Sequence, residues 1–147
     1  MEPIDLDTVF MQKALEQATR AFEEDEVPIG AVVIYKDRII GKGYNQTEKL
    51  RDVTAHAEML AITAASANLG NKYLEECTLY ITIEPCVMCA GAIKHSRLKR
   101  IVVGSPEPKT GFSNFLNQDF SSNTELKIGV LQDECSKIMK DFFKNKR

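Results

Sequence analysis

Thr78-Leu-Tyr-Ile-Thr-Ile83, then Glu84-Pro-Cys-Val-Met-Cys-Ala-Gly-Ala-Ile-Lys-His95, then Arg100-Ile-Val-Val-Gly104 decide the fold by their order. The first segment is apolar and β-branched, which is the pattern of a strand buried at the centre of a sheet. Pro85 suits the first turn of a helix, and the small residues from Cys86 to His95 continue one. The third segment is again a short strand. Strands that alternate with helices imply a largely parallel sheet with helices on both faces.

Working outward, Ile29 to Tyr35 and Arg38 to Tyr44 flank the pair Lys36-Asp37, which reads as a hairpin with a two-residue turn. Before it, Leu6 to Glu24 places Val9, Phe10, Ala14, Leu15, Ala18 and Phe22 at helical spacing, with Asp5 or Asp7 to cap its start. Between hairpin and central strand, Asn45 to Thr54 is polar and irregular. Ala55 to Asn68 reads as a buried helix closed by Asn68 and Gly70. Ser105 to Asn123 is broken by glycine and proline and reads as a loop with a short helix. Thr124 to Val130 forms a last strand, and Leu131 to Lys146 a last helix whose apolar positions include Cys135, Ile138, Met139, Phe142 and Phe143. The expected architecture is a three-layer α/β/α sandwich around a mixed, mostly parallel five-stranded sheet, with residues 1–147 as one domain.

Composition sets bounds on the function. The chain has 147 residues, 44% hydrophobic and 27% charged, with a formal net charge of -2 and a pI near 5.7. A nucleic-acid partner would therefore be met by a local basic patch rather than by bulk charge. No apolar run approaches the roughly 18 residues that cross a bilayer. The acidic stretch from Met1 to Asp7 lacks a signal peptide's layout, so a cytoplasmic protein is expected. Cysteines there stay reduced, and Cys77 and Cys135 read as small buried hydrophobes.

Cys86 and Cys89 differ, because they are spaced C-x-x-C where a strand enters a helix. The partial positive charge of a helix N-terminus favours the thiolate, the form that binds metal. Thr54-Ala-His-Ala-Glu58 opens a second helix, and His56 supplies a third ligand. Three protein ligands with an open fourth position define a catalytic zinc site, one zinc per subunit. Glu58, two residues beyond His56, is placed to move protons as general base and acid. Blander readings exist for each part. A lone C-x-x-C serves redox chemistry or half of a structural zinc site, a lone histidine is usually a satisfied residue, and an acid at a helix start is ordinary. A structural site would need Cys77 or Cys135 as fourth ligand, and neither sits in a second paired motif.

The arrangement H-x-E…P-C-x-x-C is the zinc deaminase signature, in which the glutamate is not a ligand. At these residues the chain resembles the cytidine deaminase superfamily, and within it bacterial tRNA-specific adenosine deaminases. The resemblance runs over nearly the whole chain. It covers Glu26-Val-Pro-Ile-Gly-Ala-Val-Val33, Gly43-Tyr-Asn45, the His56 and Cys86 motifs, His95-Ser-Arg97, Lys109-Thr-Gly111 and Asp141-Phe-Phe143.

This resemblance implies a cytidine deaminase-like fold and hydrolytic deamination of adenosine to inosine at the wobble position of a tRNA anticodon loop. Zinc would activate water and Glu58 would shuttle protons. The target base would be held unstacked in a pocket. Asn45 and the Ala57 backbone N–H would contact the purine, although Asn45 also reads as a strand end. Glu107 stands where relatives typically carry aspartate and keeps a carboxylate for a ribose 2′-hydroxyl. Lys109, Phe143 and Lys144 would meet the anticodon stem-loop. Further phosphate candidates are Lys94, Arg97, Lys99, Arg100, Lys146 and Arg147. The stretch Phe112 to Asn117 departs from the small Gly/Ser-rich run of relatives. Family members of this type are homodimers, and an apolar surface residue such as Met88 is compatible with that.

Two other readings compete. A deaminase of a free base or nucleoside, such as guanine or cytosine, would share the zinc site and dispense with the basic tail and the Lys109 loop. A non-catalytic deaminase-fold partner would be expected to lose the proton shuttle, and Glu58 is present.

Overall fold

A computed structural model describes residues 5–114 and 124–146. Its elements are α1 (Leu6–Glu23), β1 (Gly30–Tyr35), β2 (Arg38–Tyr44), α2 (Ala57–Leu69), β3 (Thr78–Ile83), α3 (Val87–Ser96), β4 (Arg100–Ser105), β5 (Glu125–Ile128) and α4 (Gln132–Lys144). A 3-10 turn, Phe112–Asn114, lies in the loop after β4.

The strands lie in the order β2-β1-β3-β4-β5. β1 runs antiparallel to both its neighbours, while β3, β4 and β5 are mutually parallel. Four strands thus share one direction and β1 alone is reversed. The expected antiparallel hairpin is present, but its inner strand docks beside β3, so only two of the four pairings are parallel. Lys36 and Asp37 both take positive φ, 49° and 61°, which matches the twist a two-residue hairpin turn needs.

Both sheet faces are buried, and the strands show it by alternation. Ala31, Val33, Leu79, Ile81, Ile101 and Val103 pack with Ala57, Ala61 and Ala65 of α2 and with Ala90 and Ile93 of α3. Val32, Ile34, Tyr80 and Val102 pack on the other face with Met11 and Ala14 of α1 and Cys135 of α4. The register aligns these sets, with Leu79 opposite Ile101 and Ile81 opposite Val103. This is the expected three-layer sandwich.

Close packing places α2. A Cβ on Gly43 would lie 2.3 Å from the Ala57 carbonyl oxygen, and one on Gly41 would lie 2.3 Å from that of Ala61. Only glycine lets the backbone of α2 sit directly on β2, and that contact holds the start of the helix where it is. Gly70 closes α2 in the left-handed conformation at φ 70°.

A buried polar knot ties the far edges of the opposite face. Asp7 of α1 accepts from Tyr80 Oη at 2.6 Å, from both Arg100 terminal nitrogens at 2.7 Å and from Lys127 Nζ at 2.9 Å. The Arg100 hydrogen bond, aided by those from Tyr80 and Lys127, holds the Asp7 carboxyl below the usual carboxylate range. One helix and three strands, β3, β4 and β5, are joined through one carboxylate.

Candidate metal and catalytic site

The site begins with two helix starts that break the usual capping rule. The residue before a helix is normally Ser, Thr, Asp or Asn, whose side chain bonds an unpaired N–H of the first turn. Here His56 stands before α2 and Cys86 before α3, and neither side chain makes a capping bond. Both side chains turn toward one another instead. His56 Nδ1 lies 3.7 Å from Cys86 Sγ and 3.4 Å from Cys89 Sγ. The three ligating atoms lie within 4.8 Å of one another.

These distances fit a tetrahedral metal. Bond lengths of about 2.1 Å to nitrogen and about 2.3 Å to sulfur give tetrahedral N···S edges of roughly 3.6 Å. The observed pair brackets that value. The donor set, one imidazole and two thiols with the second sulfur buried, is that of a borderline-soft divalent ion. His56, Cys86 and Cys89 could therefore hold a metal, as expected.

Without a metal the three groups share protons, and only Cys86 is held in its ligating thiolate form. The hydrogen bond from Cys89 and then that from His56 hold the Cys86 thiol down, to about 4. Cys89 is correspondingly pushed up by Cys86 and by burial, while His56 is raised by its hydrogen bond to Cys86. Metal binding would release the shared protons.

Glu58 sits in the first turn of α2 and is 4% exposed. Burial pushes its carboxyl up to about 7, against the opposing pull of the His56 charge. A carboxyl that titrates near neutrality is suited to giving and taking protons at working pH.

A cavity of about 900 Å³ opens beside these groups. His56, Ala57, Glu58, Cys86, Asn45, Glu107, Lys109 and Phe143 all line it, so most of the residues proposed from sequence come together. Asn45 is buried; its Nδ2 donates to the Val27 carbonyl and its Oδ1 accepts from Thr47 N–H, each at 3.4 Å. These long bonds leave an amide donor for a ligand. The Ala57 N–H belongs to the first turn of α2, whose donors have no partner within the helix. Glu107 accepts from the Lys109 N–H at 3.0 Å and so shapes its own loop.

Other candidate residues lie away from this cavity. Lys144 lines a neighbouring cavity of about 740 Å³ rather than this one. The two cavities share Ile83, Glu107, Met139, Lys140 and Phe143. Lys140 is the α4 cation on the pocket, one helical turn before Lys144. Arg100 is engaged by Asp7 and by Glu125, so it is no free phosphate contact. Lys94 and Arg97 lie at the end of α3 opposite to Cys86, and ten residues of helix span about 15 Å. Arg97 stacks on the Tyr73 ring at 4.0 Å. Lys146 pairs with Asp25. Arg147 and residues 115–117 of the divergent loop lie outside the described residues.

Sequence reasoning missed Glu84, Thr110, Met139 and Lys140 of the wall. Met139 and Lys140 were recoverable from Phe143, since residues three and four apart share a helix face. Of the Phe142-Phe143 pair, the first is core, 7% exposed with its edge on Phe22, and the second is half exposed at the pocket mouth.

Comparisons with known proteins agree with this geometry. The MafB19-like deaminase family model matches residues 5–147. A tRNA-specific adenosine deaminase of Bacillus subtilis is 42% identical over 146 residues, 96% of this chain and 91% of that protein. A solved chain from studies of A-to-I editing by tRNA:A34 deaminases at the wobble position of transfer RNA superposes with a TM-score of 0.83 at 40% identity. It covers 89% of this chain and 99% of that one. A guanine deaminase from Bacillus subtilis superposes with a TM-score of 0.64 at 36% identity, over 67% of this chain and 63% of that one. The chain belongs to the tRNA-specific adenosine deaminase family.

Proposed function

We propose that this chain deaminates adenosine to inosine at the wobble position of a tRNA anticodon loop, with one zinc held by His56, Cys86 and Cys89. The observation that carries the reading is the buried Glu58, poised near neutrality beside a His-Cys-Cys ligand group at the base of an open pocket. Zinc bound there would supply an activated water for attack on the purine. Glu58 would carry one proton of the attacking water to the purine ring nitrogen as oxygen adds to C6, and the second, from the added hydroxyl, to the amino group, which leaves as ammonia when its bond to C6 breaks. Asn45 and the Ala57 N–H hold the base edge, and Ile29 and Ile83 give the pocket apolar surface that excludes water. Lys109, Lys140 and Phe143 at the mouth suit a phosphate backbone and an unstacked neighbouring base.

The family match over residues 5–147 supports one catalytic domain for the chain. Among the described residues no helix is long and apolar enough to cross a membrane. A cytoplasmic homodimer is the setting we propose; exposed Val87 and Met88 on α3 offer apolar surface for self-association.

A free-base reading has one supporting observation, the resemblance to a guanine deaminase. It covers less of both chains than the tRNA-deaminase matches do, so we rank it second. The test is direct. The zinc-loaded protein is given a transcribed stem-loop with adenosine at the wobble position and, separately, adenosine, guanine, cytosine and cytidine. Inosine in the RNA alone supports the reading, and guanine or cytosine turnover with inert RNA overturns it.

A further inference from the structure

Glu84 is buried in the pocket wall, 6% exposed, between the end of β3 and the Pro85-Cys86 start of α3. Among the described residues no cation pairs with it; backbone and hydroxyl donors satisfy both of its oxygens. Oε1 accepts from the Glu107 N–H at 3.1 Å. Oε2 accepts from the Ser113 N–H at 2.9 Å and from the Ser113 hydroxyl at 2.6 Å.

The loop after β4 is thus wrapped around one carboxylate. A Cβ on Gly111 would lie 2.4 Å from Glu84 Cδ, so the chain passes directly over it. Phe112 N–H donates to the Pro85 carbonyl at 2.8 Å, and the Phe112 ring is sunk in the core. These contacts fix both ends of the segment 107–113, which carries Glu107, Lys109 and Thr110 to the pocket. The same short stretch that places Cys86 therefore also places the wall that carries Glu107, Lys109 and Thr110.

Both oxygens act as acceptors, and this makes the residue type matter. A glutamine amide accepts at one atom only and would set its NH₂ against a backbone N–H or the serine. A buried carboxylate at a sheet end is otherwise costly, which argues for a purpose other than packing.

We propose that Glu84 is a positioning residue, which fixes the 107–113 wall and so sets how tightly the pocket holds its substrate. It acts through Glu107 and Lys109, not on the reacting atoms. The substrate side of this inference rests on the function proposed above.

The test compares zinc-loaded wild type with Glu84→Gln on the wobble-adenosine stem-loop. KM rises about tenfold or more while kcat stays within about threefold, the signature of lost substrate holding. Zinc content is unchanged, and amide hydrogen exchange at Glu107 and Ser113 quickens about tenfold or more. Glu84→Asp, which keeps two acceptors, recovers part of the KM loss. Should Glu84→Gln not fold, Ser113→Ala removes one bond only and raises KM in the same direction by about threefold.

A fall in kcat at constant KM, a loss of zinc, or unchanged exchange in the loop would each overturn the inference. A wild type inert toward the stem-loop refutes the proposed function instead. The same KM comparison then moves to whichever free base the protein processes, and an unchanged KM with a loosened loop overturns the role of Glu84.

Discussion

His56 Nδ1 stands 3.4 Å from Cys89 Sγ, with both residues at the starts of different helices and 33 positions apart in the chain. Two features bring them together. Gly41 and Gly43 seat α2 on the edge strand β2, and the crossover from β3 to β4 starts α3 at the same sheet end. A ligand set drawn from two rigid helices would have little freedom to rearrange.

Removing one of these ligands should remove the metal. His56→Ala is expected to carry less than about a tenth of the wild-type zinc. Zinc at a thousandfold excess over its Kd should stabilise the wild type by about 4 kcal/mol and the variant hardly at all. Metal analysis and thermal melts with and without a chelator check this. Equal zinc in both proteins would show that His56 is no ligand.

Burial of Glu58 has a stability consequence in the chelated protein. Its folded carboxyl titrates at about 7, above the unfolded value, so the folded state holds an extra proton between roughly pH 4.5 and 7. Stability therefore falls as pH rises through that window. Chelated Glu58→Gln should be more stable than chelated wild type by about 2 kcal/mol at pH 8, with the gap closing below pH 5. Urea melts across pH check it, and a gap that is constant with pH would refute it.

Gly43→Ala tests the seating of α2. The added methyl meets the Ala57 carbonyl oxygen at 2.3 Å, and neither backbone can yield without moving the helix. A loss of about 2–4 kcal/mol in denaturant stability is expected, together with weaker metal binding because His56 starts that helix. A neutral substitution would show that the helix is free to shift.

The Asp7 knot gives the opposite pH sign to Glu58. Its folded carboxyl lies below the unfolded value because Arg100 bonds it, so its stabilisation is full above the ordinary carboxylate range and falls with acidification. Asp7→Asn should cost about 2 kcal/mol at pH 7, and the difference from wild type should shrink steadily below pH 4. A difference that grows in acid would contradict the assignment.

The sandwich was legible because its strands are short apolar runs between helical patterns, and five strands and four helices appear where expected within a few residues. The placement of β1 was less so. A hairpin's pairing to its own partner is local, whereas its docking beside β3 depends on matching apolar faces across the fold. The His56, Cys86 and Cys89 group was legible because metal-binding chemistry restricts residue type and spacing. What Lys144 and Arg100 meet was not legible, because charge in sequence says nothing of direction, and a helix turn or a buried aspartate decides what a cation meets. Glu84 went unread because two of its three donors are backbone N–H groups, which carry no side-chain signature.

The central claim separates three metal ligands from one proton carrier, and a single preparation of Glu58→Ala tests it. Zinc content and inosine formation on the stem-loop are measured on the same sample. The account predicts about one zinc per chain, as in wild type, with turnover reduced by at least about a thousandfold. Loss of the zinc, or substantial activity without the carboxylate, would contradict it.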